Sequence, residues 1–226
     1  MSEYNIGHRQ RLKERFLSAP ESLPDYEILE LLLFNAIPRR DVKPLAKELI
    51  QSHGSFAKVL NFDVSQMPED DNSEPIPQSI ILQFELVKES IKRLLKEEIS
   101  NKSILNSWNA VNDYLRITMG QQNIEHFRVL YLNTKNHLIC DEVQKSGTID
   151  QTSVYPREIV KKAIFHNAAS IILVHNHPSG VASPSKADIN LTLKIIEACK
   201  TIDVQVHDHI IVAGNSIYSF KSNHIL

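Results

Sequence analysis

The stretch "SIILVHNHPSGVASPSKADINLTLKII", from Ser170 to Ile196, constrains the fold of this 226-residue chain more than any other. It opens with an aliphatic run of strand length and closes with an amphipathic helical pattern. The strand ends in His175-Asn176-His177, and Pro178 then stops it. On a strand, residues two apart face the same side, so both imidazoles project together while Asn176 faces away. After the turn formers of "SGVASP", Ser185 suits an N-cap and Asp188 the N3 position of the next helix. The spacing therefore predicts a carboxylate on the first helical turn, beside the strand end. Two neutral imidazoles and one carboxylate make three protein ligands. They leave the fourth position of a tetrahedral zinc for water, as in a catalytic rather than a structural site. A bare H-x-H is unspecific, and S-x-x-D alone is more often a helix cap. Their combination across a strand, a loop and a helix start predicts a metal site holding one zinc ion per chain.

Other parts of the sequence supply the frame. Residues 1–100 read as a small all-helical domain. "RQRLKERFL" is a charged amphipathic start, and "DYEILELLLFNAI" follows a capping Asp25. "IPRRDVKPLAKELIQSHGS" predicts a helix ending before Gly54, and a long helix spans about Ser79 to Glu98. "VSQMPEDDNSEPIPQ" reads as an acidic, proline-bearing loop between these two helices. From residue 104 to 226 helices alternate with strands. A helix from Trp108 to Met119 leads into "IEHFRVLYLN" and "HLICDEVQKSGTI", two strands joined by the turn "TKN". Pro156 suits the first turn of "PREIVKKAIFHNA", and "VQVHDHIIVAG" and "SIYSF" close the sheet. This pattern predicts a mixed α/β layer structure.

Composition excludes several classes. A formal net charge of −2 provides no global basic field for nucleic acid or an acidic membrane surface. The two cysteines, Cys140 and Cys199, form no C-x-x-C pair, which argues against a disulfide framework and reads as core thiols in a reducing compartment. No stretch approaches a membrane span or a signal peptide, so the expected location is the cytoplasm. A zinc deaminase would need H-x-E with P-C-x-x-C, and the chain has neither cysteine pair nor motif. Two-metal nuclease chemistry would need more carboxylates beside the site.

"HNHPSGVASPSKAD" resembles the metal motif of the JAMM/MPN metalloproteases, H-x-H-P followed by S-x-x-D. More closely, this motif resembles the RadC family, long labelled as DNA repair proteins. "GTIDQTSVYPREIVKKAIFHNAASIILVHNHPSG", "DHIIV" and the N-terminal "LLLFNAIPRRDVKPLAKELI" are similar to the same family pattern. The resemblance implies a C-terminal JAMM/MPN-like, cytidine-deaminase-like mixed α/β domain after a helix-hairpin-helix-like domain. It further implies that His175, His177 and Asp188 bind zinc and that a protein or peptide is the substrate, through hydrolysis of a peptide or isopeptide amide bond. A JAMM site uses a glutamate near the start of the first strand as proton carrier, and the matching residue is Glu125; Glu142 is the rival. Glu158 is explained by its place in a first helical turn. The serine matching Ser185 helps to hold an oxyanion in JAMM enzymes, beside its capping role. In "HDHII", His207 and His209 read as polar residues on one sheet face, with a ligand-orienting role for Asp208 or His209 as the alternative. His166 and Asn167 read simply as a helix end.

The chain departs from the family in one place. The hairpin expected to present backbone N–H groups to a DNA phosphate falls in "MPEDDNSEPIPQS", which has no glycine and carries Glu69, Asp70, Asp71 and Glu74. Close approach to a phosphate is disfavoured there by both backbone freedom and charge. A DNA repair or recombination role with a structural or vestigial metal is the alternative function, and nucleic acid enters the partner list by family association only.

Overall fold

A computed structural model describes residues 3–61, 78–146 and 154–226. The predicted acidic hairpin, with Glu69, Asp70, Asp71 and Glu74, lies outside the described residues. So do residues 147–153. The chain divides into two compact units, Met1–Ser90 and Ile91–Leu226.

The first unit is helical, from α1 (Glu3–Ser18) through α2 (Asp25–Ala36), α3 (Lys43–His53) and α4 (Phe56–Asn61) into α5 (Gln78–Asn101). Leu12, Leu29, Leu33, Ala46, Leu49, Val59, Ile80 and Phe84 form its core. Asp25 does not cap α2: the N-cap is Pro24, and no side chain bonds the first turn. Asp25 is instead the first helical residue, where its carboxylate still favours the positive end of the helix. Gly54 closes α3 with φ of 83°, a conformation that a side chain would strain. The six-residue α4 is too short for its periodicity to be read from sequence. The division between units falls inside α5.

Among the described residues, the second unit is built on a five-stranded sheet of order β2-β1-β3-β4-β5. Its strands are β1 (His126–Leu132), β2 (Leu138–Ser146), β3 (Ser170–Asn176), β4 (Gln205–Ala213) and β5 (Ser216–Ser219). Only β3 and β4 pair in parallel; the other neighbours are antiparallel. Every residue of β3 is buried, as its aliphatic run requires of a central strand covered on both faces. One face, with Leu130, Leu132, Ile172, Val174, Ile210 and Val212, packs with Val111, Tyr114, Leu115 and Met119 of α6 (Trp108–Met119). The other, with Val129, Tyr131, Ile171 and Leu173, packs with Ile159 and Ala163 of α7 (Pro156–Phe165) and Ile195 and Cys199 of α8 (Lys186–Lys200). The result is a three-layer α/β/α arrangement, with α8 as the crossover between the parallel strands. Gly214, with φ of 58°, turns β4 into β5; a Cβ on Gly120 would lie 2.4 Å from the Gly214 carbonyl oxygen, so glycine is needed there as well.

Candidate metal centre

The site lies where β3 ends and α8 begins, outside the carboxyl ends of the parallel pair, which is where α/β sheets place ligands. His175 occupies the penultimate position of β3, opposite Phe127 on β1 and Ile211 on β4. His177 stands one residue beyond the strand and is anchored by its N–H donating to the Val212 carbonyl at 2.9 Å. Ser185 caps α8 through a full capping box. Its hydroxyl accepts from the Asp188 N–H at 3.1 Å, and its own N–H donates to Asp188 Oδ2 at 2.7 Å. That second bond fixes the Asp188 carboxylate towards the histidines. Asp188 Oδ1 is 3.4 Å from His175 Nε2, Oδ2 is 3.6 Å from His177 Nε2, and the two Nε2 atoms are 2.8 Å apart.

Hydrogen-bond directions settle which ring nitrogens are available. Thr192 has one hydroxyl hydrogen, and it goes to the Asp188 carbonyl oxygen at 2.6 Å. The Thr192 oxygen therefore accepts from His209 Nδ1, 2.6 Å away, which leaves His209 Nε2 as an acceptor. His175 Nδ1, 2.7 Å from that atom, must donate to it, so His175 Nε2 carries a lone pair. His177 Nδ1 lies 2.7 Å from the Val181 carbonyl oxygen, which can only accept, so the neutral His177 ring carries its lone pair on Nε2. These two nitrogens, 2.8 Å apart beside a carboxylate, form a donor set that a shared metal ion satisfies, as does a proton on His177 Nε2. Ligand bonds of about 2.0–2.2 Å to zinc would span donor separations of this order. The residues present fit such an ion.

Electrostatics distinguish the two rings. Burial lowers the pKa of His175 to about 4, outweighing the Asp188 charge. Burial likewise holds His209, which is 0% exposed, well below the ordinary histidine range. Partly buried His177 moves the other way, because without a metal a proton on its Nε2 can bond Asp188, with the Glu125 charge contributing. For Asp188, burial pushes the pKa up, but the bonds from His177 and Ser185 and the His175 charge together hold it well below the usual carboxylate range.

Glu125 is exposed in the segment between α6 and β1, close enough for its charge to act on His177. Glu142 has other partners. It sits on the edge strand β2, bonded to Lys162 and, at 2.7 Å, to His166 Nε2; the Lys162 bond leads the causes that lower its pKa. His166 is thus more than a helix end. Together with Cys140, whose Sγ is 3.7 Å from Glu142 Oε1, these residues form a second group of potential ligand atoms. Cys140 is half-buried, and burial raises its pKa, while Cys199 lies fully in the core with its thiol pushed up to about 11. Glu158 is exposed in the first turn of α7.

His207 and His209 part company because β4 gains an extra residue against β3. Ile171 pairs with Val206 but Ile172 pairs with Asp208, leaving His207 as the bulged residue. His207 bonds Asn136 at 2.7 Å, while His209 reaches His175. Asp208 serves the chain instead, accepting from Ser219 Oγ and the N–H groups of His209 and Lys221. Sequence reasoning missed Thr192, although its place four residues after Asp188 puts both on one helix face. It also missed Asn176, whose amide oxygen accepts from the His126 N–H at 2.8 Å and whose NH2 group donates to the Ile124 and Gln122 carbonyls at 3.0 and 3.4 Å.

A mixed sheet between helices, with paired histidines at a central strand end and a carboxylate on the next helix, defines a domain of the JAB type. A family model described as a RadC-like JAB domain matches residues 105–225. The UPF0758 protein SPO0054 of Ruegeria pomeroyi is 42% identical over 223 residues, covering 98% of this chain and 98% of that protein. The chain belongs to the RadC family. No helix among the described residues is long and apolar enough to cross a membrane.

Proposed function

We propose that this protein is a zinc-dependent hydrolase of the JAMM type that cleaves a peptide or isopeptide amide bond. The observation that supports this most is the pair of His175 and His177 Nε2 lone pairs, 2.8 Å apart beside the Asp188 carboxylate. When bound there, zinc would polarise an amide carbonyl and acidify water near neutral pH. His175, His177 and Asp188 would hold it, and His209 would keep His175 in its ligating tautomer.

Glu125 would carry the proton from the attacking water to the leaving nitrogen. Its exposure suits contact with a substrate, and its charge already acts on His177. Glu142 is the poorer candidate, because its carboxylate is committed to Lys162 and His166. The Ser185 hydroxyl oxygen accepts a bond at the helix cap, which leaves its hydrogen to donate to an oxygen that gains charge during attack.

The test is turnover of a mixed-sequence, quenched-fluorescent peptide library and of an isopeptide-linked pair by zinc-reconstituted protein, beside Glu125→Gln. Hydrolysis should be lost on chelation, restored by zinc, and reduced about 100-fold or more in the variant at unchanged zinc content. Zinc-loaded protein that cleaves neither substrate set, or a fully active Glu125→Gln, would contradict the proposal.

A further inference from the structure

The residue between the two histidines does a separate job. Asn176 is 1% exposed and turns to the α6 face of the sheet, away from the donor atoms. Its backbone pairs with β4 opposite Val212, so its side chain is left to serve β1. A primary amide has one acceptor oxygen and two N–H donors. All three are directed at the backbone of one short segment: His126 N–H at 2.8 Å, Ile124 C=O at 3.0 Å and Gln122 C=O at 3.4 Å. The β1–β3 ladder stops at the Phe127–His175 pair, so this amide extends the ladder by one rung beyond it. Glu125 lies inside the clamped segment, flanked by two of the three bonded groups.

We propose that Asn176 is the positioning residue for Glu125, fixing the proton carrier against the same strand end that supplies the paired histidines. The inference rests on the reading of Glu125 above and deepens it. One tripeptide, His175-Asn176-His177, sets both the donor atoms and the placement of the base: its outer residues through one face of the sheet, its middle residue through the other. A misplacement of the base by about 1 Å costs about 100-fold in rate, so a clamp on its backbone has a kinetic consequence without touching substrate.

The experiment compares full-length wild type with Asn176→Ala, Asn176→Asp, Glu125→Gln and the Asn176→Ala/Glu125→Gln double variant. Amide hydrogen exchange at residues 122–126 should rise about tenfold or more in Asn176→Ala. Zinc affinity, by chelator competition, should stay within about threefold of wild type. On the peptide library, kcat should fall about 10- to 100-fold with KM unchanged, and the double variant should be no slower than Glu125→Gln alone. Asn176→Asp keeps the acceptor for His126 but sets a carboxylate oxygen against the Ile124 and Gln122 carbonyls, so it should raise exchange and lower kcat at least as far as Asn176→Ala; Asn176→Ser, which keeps a small hydrogen-bonding group, serves should these variants not fold. Unchanged exchange overturns the clamp whether or not the library contains a substrate. A large loss of zinc affinity, or losses of kcat that add in the double variant, overturns the link to Glu125. If Glu125→Gln keeps full turnover while exchange responds as expected, the reading of the base fails and the clamp on the segment stands.

Discussion

His209 to phenylalanine separates packing from hydrogen bonding at the centre of the site. The ring is stacked on Phe220 with centroids 4.6 Å apart and meets Phe127 edge-on at 5.7 Å, so an aromatic replacement keeps the apolar contacts. What is lost is the acceptor for His175 Nδ1 and the donor to Thr192. The expected result of His209→Phe is a folded protein with zinc affinity reduced about 10- to 100-fold, measured by chelator competition. Unaltered affinity would mean that His175 needs no partner to hold its tautomer. Titration adds a second outcome. His175 protonates at about 4 in the fold against 6.5 in the open chain, so between those values the unfolded state binds more protons. The His175 contribution to the stability of the metal-free protein is therefore complete above about 6.5 and falls as pH drops towards 4, with His209 acting in the same direction. The raised pKa of His177 has the opposite sign: its contribution is complete below 6.5 and is lost only as pH rises through its folded value. Urea titrations across this window should show the decline, and His175→Ala should flatten it. No decline in wild type would contradict the neutral, buried imidazole.

At the scale of elements, the first turn of α8 is both a cap and a wall of the site. Ser185→Ala removes the acceptor for the Asp188 N–H and should cost about 1 kcal/mol in denaturant unfolding. Ser185→Asp restores an acceptor but has no hydrogen to give. It should regain most of that stability while hydrolysis stays low, and a fully active Ser185→Asp would remove the serine from the chemistry. Elements also show what a sequence can and cannot reveal. The β3 strand, the α8 start and the capping box were legible because each follows from local rules: aliphatic burial, a proline stop, and a polar residue three before a carboxylate. The separation of His207 from His209 was not legible, since a bulge depends on the pairing of β4 with β3 and leaves no local mark. For the same reason the role of Asn176 was hidden. Alternation correctly turns it from His175, but its partners lie 50 to 54 residues away on another strand's approach. The bond between His166 and Glu142 joins a helix end to an edge strand and is equally non-local.

For the whole chain, zinc should act as a ligand of the folded state alone. Binding at about 100 times the dissociation constant would add about 2.7 kcal/mol to the unit that carries the site. Thermal unfolding of the full-length protein should show a zinc-dependent rise, absent in His175→Ala and in Asp188→Ala. The helical unit has its own core around Leu29 and Leu33, so its packing does not depend on these ligands. The most direct test of the account is zinc-edge anomalous diffraction from crystals of the reconstituted wild-type chain. The account requires one zinc per chain at about 2.0–2.2 Å from His175 Nε2, His177 Nε2 and an Asp188 carboxylate oxygen. A zinc found instead at Cys140, Glu142 and His166, or no anomalous peak between His175 and His177, would contradict it.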